Sequence, residues 1–114
     1  MAFTQGLIKM SQSTIDEMQF LLKATTDGDA EKLWGKIPVY MRSGIANYVL
    51  RGIEPGSFVK TVLQNDLRCA ILKADDINQH LLPDYVRFMC NYLPSAAWGS
   101  FEKYNAWIKD IQSR

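Results

Sequence analysis

Cysteine and histidine are nearly absent: Cys69, Cys90 and His80 are the whole complement. With no CxxC pair and no His/Cys cluster, a structural zinc site cannot be assembled at ordinary ligand spacing, and no metal is expected. Two cysteines are also too few for the disulfide framework of a small secreted scaffold. No uncharged apolar run approaches the ~20 residues that span a bilayer. The opening MAFTQGLIKMSQS lacks the charged stretch and apolar core of a signal peptide. A soluble, cytoplasmic protein without membrane contact is therefore expected. Both cysteines lie in apolar helical patterns, where a free thiol behaves as a small hydrophobe, so both are expected to be buried and inert. A 69–90 disulfide is disfavoured in that compartment.

Charge of one sign is lacking too. Thirteen bases face twelve acids over the 114 residues. The one local excess is in residues 36–73, where six bases (Lys36, Arg42, Arg51, Lys60, Arg68 and Lys73) face only Glu54 and Asp66. That falls short of the footprint of a dedicated nucleic-acid binder. Gly52 and Gly56 are too sparse for a phosphate cradle. Ser57 and Ser100 each follow glycine, but neither sits in a GxSxG elbow, and both read as helix N-caps. No catalytic residue and no cofactor are expected, so the chain does not read as an enzyme.

What is present is helical periodicity. Apolar residues make up 47% and charged residues 22%, the balance of a globular chain. The length suits one hydrophobic core, hence a single domain. Thr14 and Glu17 form a capping-box pattern before a run to about Ala24, with Ile15, Met18, Leu21 and Leu22 on one face. Asp27-Gly28-Asp29 stops it, and a short helical turn at Ala30–Trp34 ends at Gly35. Pro38 suits the first turn of a helix to Arg51, with Gly52 just past its end. Met41, Ile45, Tyr48 and Val49 make its core stripe.

Glu54-Pro55-Gly56-Ser57 is a turn, and the next helix is expected to run unbroken from Phe58 to about Ala74. Asp75 and Asp76 cap another piece, in which Pro83 must kink the helix or begin a new one. Between Asp84 and Leu93 only Asp84, Arg87 and Asn91 are polar, the mark of a central, wrapped helix. After Pro94, a last helix begins near Gly99-Ser100 with Phe101, Tyr104, Trp107, Ile108 and Ile111 in a stripe. The expected fold is all-α, a compact single-domain bundle of about five helices.

A few polar and aromatic positions call for explanation. On a continuous 58–74 helix Asp66 falls amid Phe58, Val59, Val62, Leu63, Cys69 and Ala70, where a carboxylate is costly unless paired. It reads as a general base or ligand-binding acid, or as an internal clamp that accepts bonds from another helix's N-terminus or from a nearby arginine, Arg42 or Arg87. The clamp is preferred, because no partner acid, histidine or nucleophile is in view. Lys60, Gln64 and Arg68 recur every four residues on the outer face. With Arg42 they form a candidate phosphate grip, against the ordinary reading of a solvated face. Asp75, Asp76, Asn78 and His80 match no calcium-loop spacing, and capping explains the aspartates. Trp34, Trp98, Trp107 and the tyrosines read as packing. Phe20 points away from its helix's apolar stripe and is a candidate intermolecular contact.

The segments GIEPGSF at 52–58, VLQNDL at 62–67, KADDIN at 73–78 and NYLPSAAWGS at 91–100 resemble a family of small phage- and prophage-encoded proteins of unassigned function. The resemblance runs from Ile37 to about Ile108 and takes residues 37–112 as a family-like core, with 1–36 as an N-terminal helical extension. Pro83 departs from the family's pattern. The resemblance implies a phage or mobile-element accessory protein in the host bacterial cytoplasm. Such a protein would act without catalysis by binding a host protein, for instance in a defence system. A small nucleotide- or nucleic-acid-binding module is the alternative, and homo-oligomerisation stays open.

Overall fold

The computed structural model describes residues 14–23 and 28–114. Among these every regular element is helical, as the periodicity predicts. Helix α1 occupies residues 14–23. It is followed by α2 (Asp29–Lys36), α3 (Val39–Arg51), α4 (Ser57–Leu63), α5 (Leu67–Lys73), α6 (Asp76–Tyr92) and α7 (Phe101–Gln112). A 3₁₀ turn, Ser95–Ala97, joins α6 to α7. The expected ends of the first helix and its stop, Ala24 and Asp27, lie outside the described residues.

Seven α-helices among the described residues replace the expected five or so, chiefly because the 58–74 stretch is two helices and not one. Asn65 takes a left-handed conformation with φ of 60°. Its amide donates to Val62 O at 3.0 Å, and the Asp66 amide donates to Thr61 O at 2.9 Å. This pair of bonds is the Schellman motif, which satisfies the last carbonyls of a helix and stops it. Asparagine tolerates the left-handed region better than other side-chain-bearing residues, which is why it can stand where glycine usually does. The next residue restarts the helix: Asp66 Oδ1 accepts the Cys69 amide at 3.2 Å as the N-cap of α5. Three residues thus end one helix and begin another.

The break decides which residues are inside. Helix α4 buries Phe58, Val59, Thr61, Val62 and Leu63, whereas α5 buries only Ala70. Gly56, and not Ser57, stands at the N-cap of α4. Ser100 does cap its helix, accepting the Lys103 amide at 3.1 Å.

Tyrosines tie the remaining helices together. The rings of Tyr48 (α3) and Tyr104 (α7) stack with centroids 5.2 Å apart. The Tyr48 hydroxyl donates to Ala97 O in the 3₁₀ turn, and Trp107 Nε1 donates to Tyr48 O at 3.2 Å. Phe58 meets Tyr85 edge-on at 5.1 Å, and Trp34 packs on Phe88 at 5.3 Å. Such aromatic pairs add ~1 kcal/mol each beyond the area they bury. Burial pushes the phenols of Tyr48, Tyr85 and Tyr104 well above their usual range, so all three remain neutral.

Pro83 does not start a new helix; it lies inside one continuous helix. It cannot donate to the Gln79 carbonyl, and the position is tolerated because both residues are exposed. Nor is the 84–93 stretch wrapped on all sides. Tyr85, Phe88, Met89 and Leu93 are buried, while Val86 and Cys90 face solvent. One cluster of buried residues, from Met18 on α1 to Tyr104 on α7, forms the core.

Candidate interaction surface

The residues singled out in the sequence do not converge. Arg42 turns its guanidinium onto the end of α2, donating from Nε to Ile37 O at 2.9 Å and from Nη2 to Gly35 O at 3.0 Å. A cation there complements the negative end of the helix dipole. Lys60 Nζ lies 2.6 Å from Glu54 Oε1 and 5.9 Å from the centroid of the Tyr104 ring. Lys60 holds the Glu54 carboxyl below its usual range. Gln64 stands at the C-cap of α4, its side-chain nitrogen buried with no hydrogen-bond partner. Arg68 is on the other side of the break, exposed on α5. The four-residue spacing of Lys60, Gln64 and Arg68 therefore does not make one face, because the helix that would align them ends between Gln64 and Arg68.

Asp66 is not buried amid apolar residues, as the continuous helix implied, but exposed. Instead of clamping another helix from inside, it caps the N-terminus of its own α5, where its side chain accepts the Cys69 amide. Arg87 stands 3.9 Å from Asp84. The Asp66 carboxylate pushes the neighbouring Cys69 thiol up. Both cysteines are free, and neither is fully buried: Cys69 is partly covered and Cys90 exposed.

Asp75 caps α6 by accepting the Asn78 amide at 2.7 Å, and it accepts the Tyr40 hydroxyl at 2.7 Å. The Asn78 bond and then the Tyr40 bond hold its carboxyl below the usual range. Asn78 in turn accepts the buried Tyr85 hydroxyl at 2.7 Å. The Asp75–His80 segment is thus a capping network, and no group of three His, Cys, Asp or Glu side chains fit to hold a metal occurs among the described residues.

The most conspicuous surface is one that the sequence reading missed. On α5, Leu67 is 61% exposed, Ile71 45% and Leu72 73%. At 100° per residue, Leu67 and Ile71 form one row and Arg68 and Leu72 the next, side by side on the outward face. Beside them on α6, Val86 is also exposed, and a dent of about 30 Å³ floored by Ala70 and Val62 separates Leu67 from Val86 and Leu82. On the wheel of a continuous 58–74 helix Leu67, Ile71 and Leu72 already point away from Val59 and Asp66; what periodicity leaves open is whether another helix covers them. The signals were their angles on the wheel and the Asn65-Asp66 pair, a left-handed residue followed by an N-cap.

A second apolar feature lies elsewhere. A groove of about 400 Å³ opens among α1, α3 and α7, lined by Met18, Leu21, Leu22, Leu50, Trp107 and Ile111 among others. Phe20, next to Leu21, is 71% exposed, as its place on the helix wheel predicts. No helix among the described residues is long and apolar enough to cross a membrane. No family model, curated protein or solved structure matches the chain.

Proposed function

We propose that this protein acts without catalysis, by docking the α5–α6 face onto a partner protein. The observation that carries the reading is the shallow burial of α5, which covers only Ala70 and turns Leu67, Ile71 and Leu72 to solvent. Contiguous exposed apolar area of this kind marks interaction sites, since isolated folding would favour covering it. Arg68 among the apolar side chains fits the composition of interface anchors. The resemblance in the segments VLQNDL and KADDIN, which flank α5, makes the partner a bacterial host protein and the chain an accessory of a phage or mobile element acting on a host process such as defence.

The phosphate-grip alternative draws no support from the same side chains. Arg42 and Lys60 spend their charge on carbonyls and on Glu54, which takes two of the four proposed phosphate grips away from a nucleic acid.

Capture from a bacterial lysate by the tagged full chain tests the proposal. A defined host protein should be retained by the wild type and lost with Leu72→Asp, whose circular dichroism stays helical. Retention by Leu72→Asp refutes the assignment of the surface. A nucleic acid bound at ~150 mM salt and released by Arg68→Glu would favour the alternative.

A further inference from the structure

The dent on the α5–α6 face lies between two arginines. Leu67, at the start of α5, stands across it from Val86 on α6, and further along Gln79 Nε2 lies 3.5 Å from Ile71 O, so the two helices run antiparallel. Arg68 follows Leu67 and Arg87 follows Val86, each 100° further round its helix. Antiparallel helices turn in opposite senses seen from one end, so both arginines come to the solvent side of the dent, where both are exposed.

Neither guanidinium is neutralised. Among the described residues no ion pair forms at Arg68, and Arg87 has only Asp84, 3.9 Å away. That carboxylate is shared with Lys36 at 3.7 Å. Both separations exceed the length of a hydrogen bond. Cations elsewhere on the molecule differ: Arg51 meets Glu17 at 2.8 Å and Lys60 meets Glu54 at 2.6 Å. Asp66, the acid that lines the dent, is engaged with the Cys69 amide at the start of α5.

From this arrangement we infer that the face takes an acidic amphipathic helix, with one small apolar side chain in the dent and carboxylates on both borders of its apolar stripe, set against Arg68 and Arg87. The inference rests on the docking face proposed above and adds the chemistry of the partner. A dent of about 30 Å³ has room for a methyl-sized group and none for an aromatic ring. Leu67, Ile71 and Leu72 then meet the apolar face of the incoming helix, as in other helix-in-groove contacts. Arginine suits the role, since its planar fork pairs with a carboxylate through two parallel hydrogen bonds. A phosphate backbone would answer the arginines as well, but it would leave Leu67, Leu72 and Val86 without apolar contact.

Selection on the tagged full chain from a displayed library of random peptides of ~16 residues, about four helical turns, tests the inference. The Leu72→Asp chain serves as counter-selection. Peptides kept by the wild type and lost on Leu72→Asp should carry apolar residues at three- and four-residue spacing, bordered by Asp or Glu. Arg68→Glu combined with Arg87→Glu should weaken such a peptide at least ~10-fold, because like charges then face each other. Changing the peptide's acids to lysine should restore binding to that double variant, a rescue that a merely unfolded variant cannot show. Peptides sensitive to Leu72→Asp but basic or uncharged, or an affinity unmoved by the double variant, would overturn the acidic partner and leave the docking face standing. A library with no peptide sensitive to Leu72→Asp would overturn both. Duplex DNA or phosphatidylglycerol vesicles bound by the wild type and released by the double variant would assign the arginines to phosphate and also overturn the inference.

Discussion

Asn65 discriminates sharply between one helix and two. It is exposed, so substitutions there change backbone energetics and not packing. With φ at 60° and two backbone bonds closing α4 behind it, a Cβ is a liability. An ordinary L-residue in the left-handed region loses roughly 1–2 kcal/mol to the contact between Cβ and the following carbonyl, and asparagine loses less. Glycine avoids that contact but gains ~0.5–1 kcal/mol of unfolded-state entropy, which offsets part of the relief. Asn65→Gly is therefore expected to lie within about 0.5 kcal/mol of wild type, and Asn65→Ala to cost about 1 kcal/mol. A continuous 58–74 helix demands the reverse order, since alanine is the best helix former and glycine about 1 kcal/mol worse. Urea titration of the three proteins reads the order directly, and thermal midpoints should separate by ~3–6 °C per kcal/mol. If Asn65→Ala proves more stable than Asn65→Gly, the break is not encoded at Asn65. The exposure of Asp66 and the separation of Arg68 from Lys60, which rest on that break, would then lose their basis.

Other perturbations test the capping and packing arguments. Tyr85→Phe leaves the buried Asn78 oxygen without its donor, so denaturant titration should show a loss of ~1–3 kcal/mol; a change indistinguishable from zero would mean the bond is not made. Gly52 ends α3 with φ of 66°, and a Cβ there would stand 3.1 Å from Ile111 Cβ and 3.2 Å from Ile108 O. Gly52→Ala should lower stability by more than ~1 kcal/mol, and a neutral result would contradict the α3–α7 packing. Asp75 has a depressed folded pKa, so its contribution is present above the unfolded value of about 3.9 and is lost as pH falls through the folded one. The stability gap between wild type and Asp75→Asn should therefore close in acid; a gap that persists at pH 2 sinks the assignment. Maleimide should label exposed Cys90 in the native protein before Cys69, which is partly covered and whose thiol Asp66 pushes up; the opposite order by mass spectrometry would refute this.

The class of fold was legible because it depends on local period. Tyr48, Val49 and Ile45 lie in the core where the α3 stripe places them. Gly52 terminates a helix because it lacks a Cβ, and Ser100 begins one with its hydroxyl. Phe20 is exposed because its angle on α1 leaves it opposite Met18 and Leu22. In each case a few neighbouring residues determine the outcome, and the rest of the chain need not be known.

The candidate site was not legible, and Asp66 shows why. Its chemistry, a carboxylate receiving amides at a helix start, was among the sequence's own alternatives. Its surroundings depended on a change of helical phase at Asn65 that a wheel drawn from Phe58 to Ala74 cannot represent. Once α5 rotates relative to α4, Asp66 and Cys69 leave the buried side on which that wheel puts them, and Arg68 parts from Lys60. Arg42 and Lys60 looked like free cations until folding brought the carbonyls of α2 and the Glu54 carboxylate to them. What the sequence by itself determined is the list of helices' inner and outer faces wherever one period holds. Which cations are spent, which apolar face remains open and where a groove forms were decided only by tertiary structure, because each depends on groups that are distant along the chain or on the phase between consecutive helices.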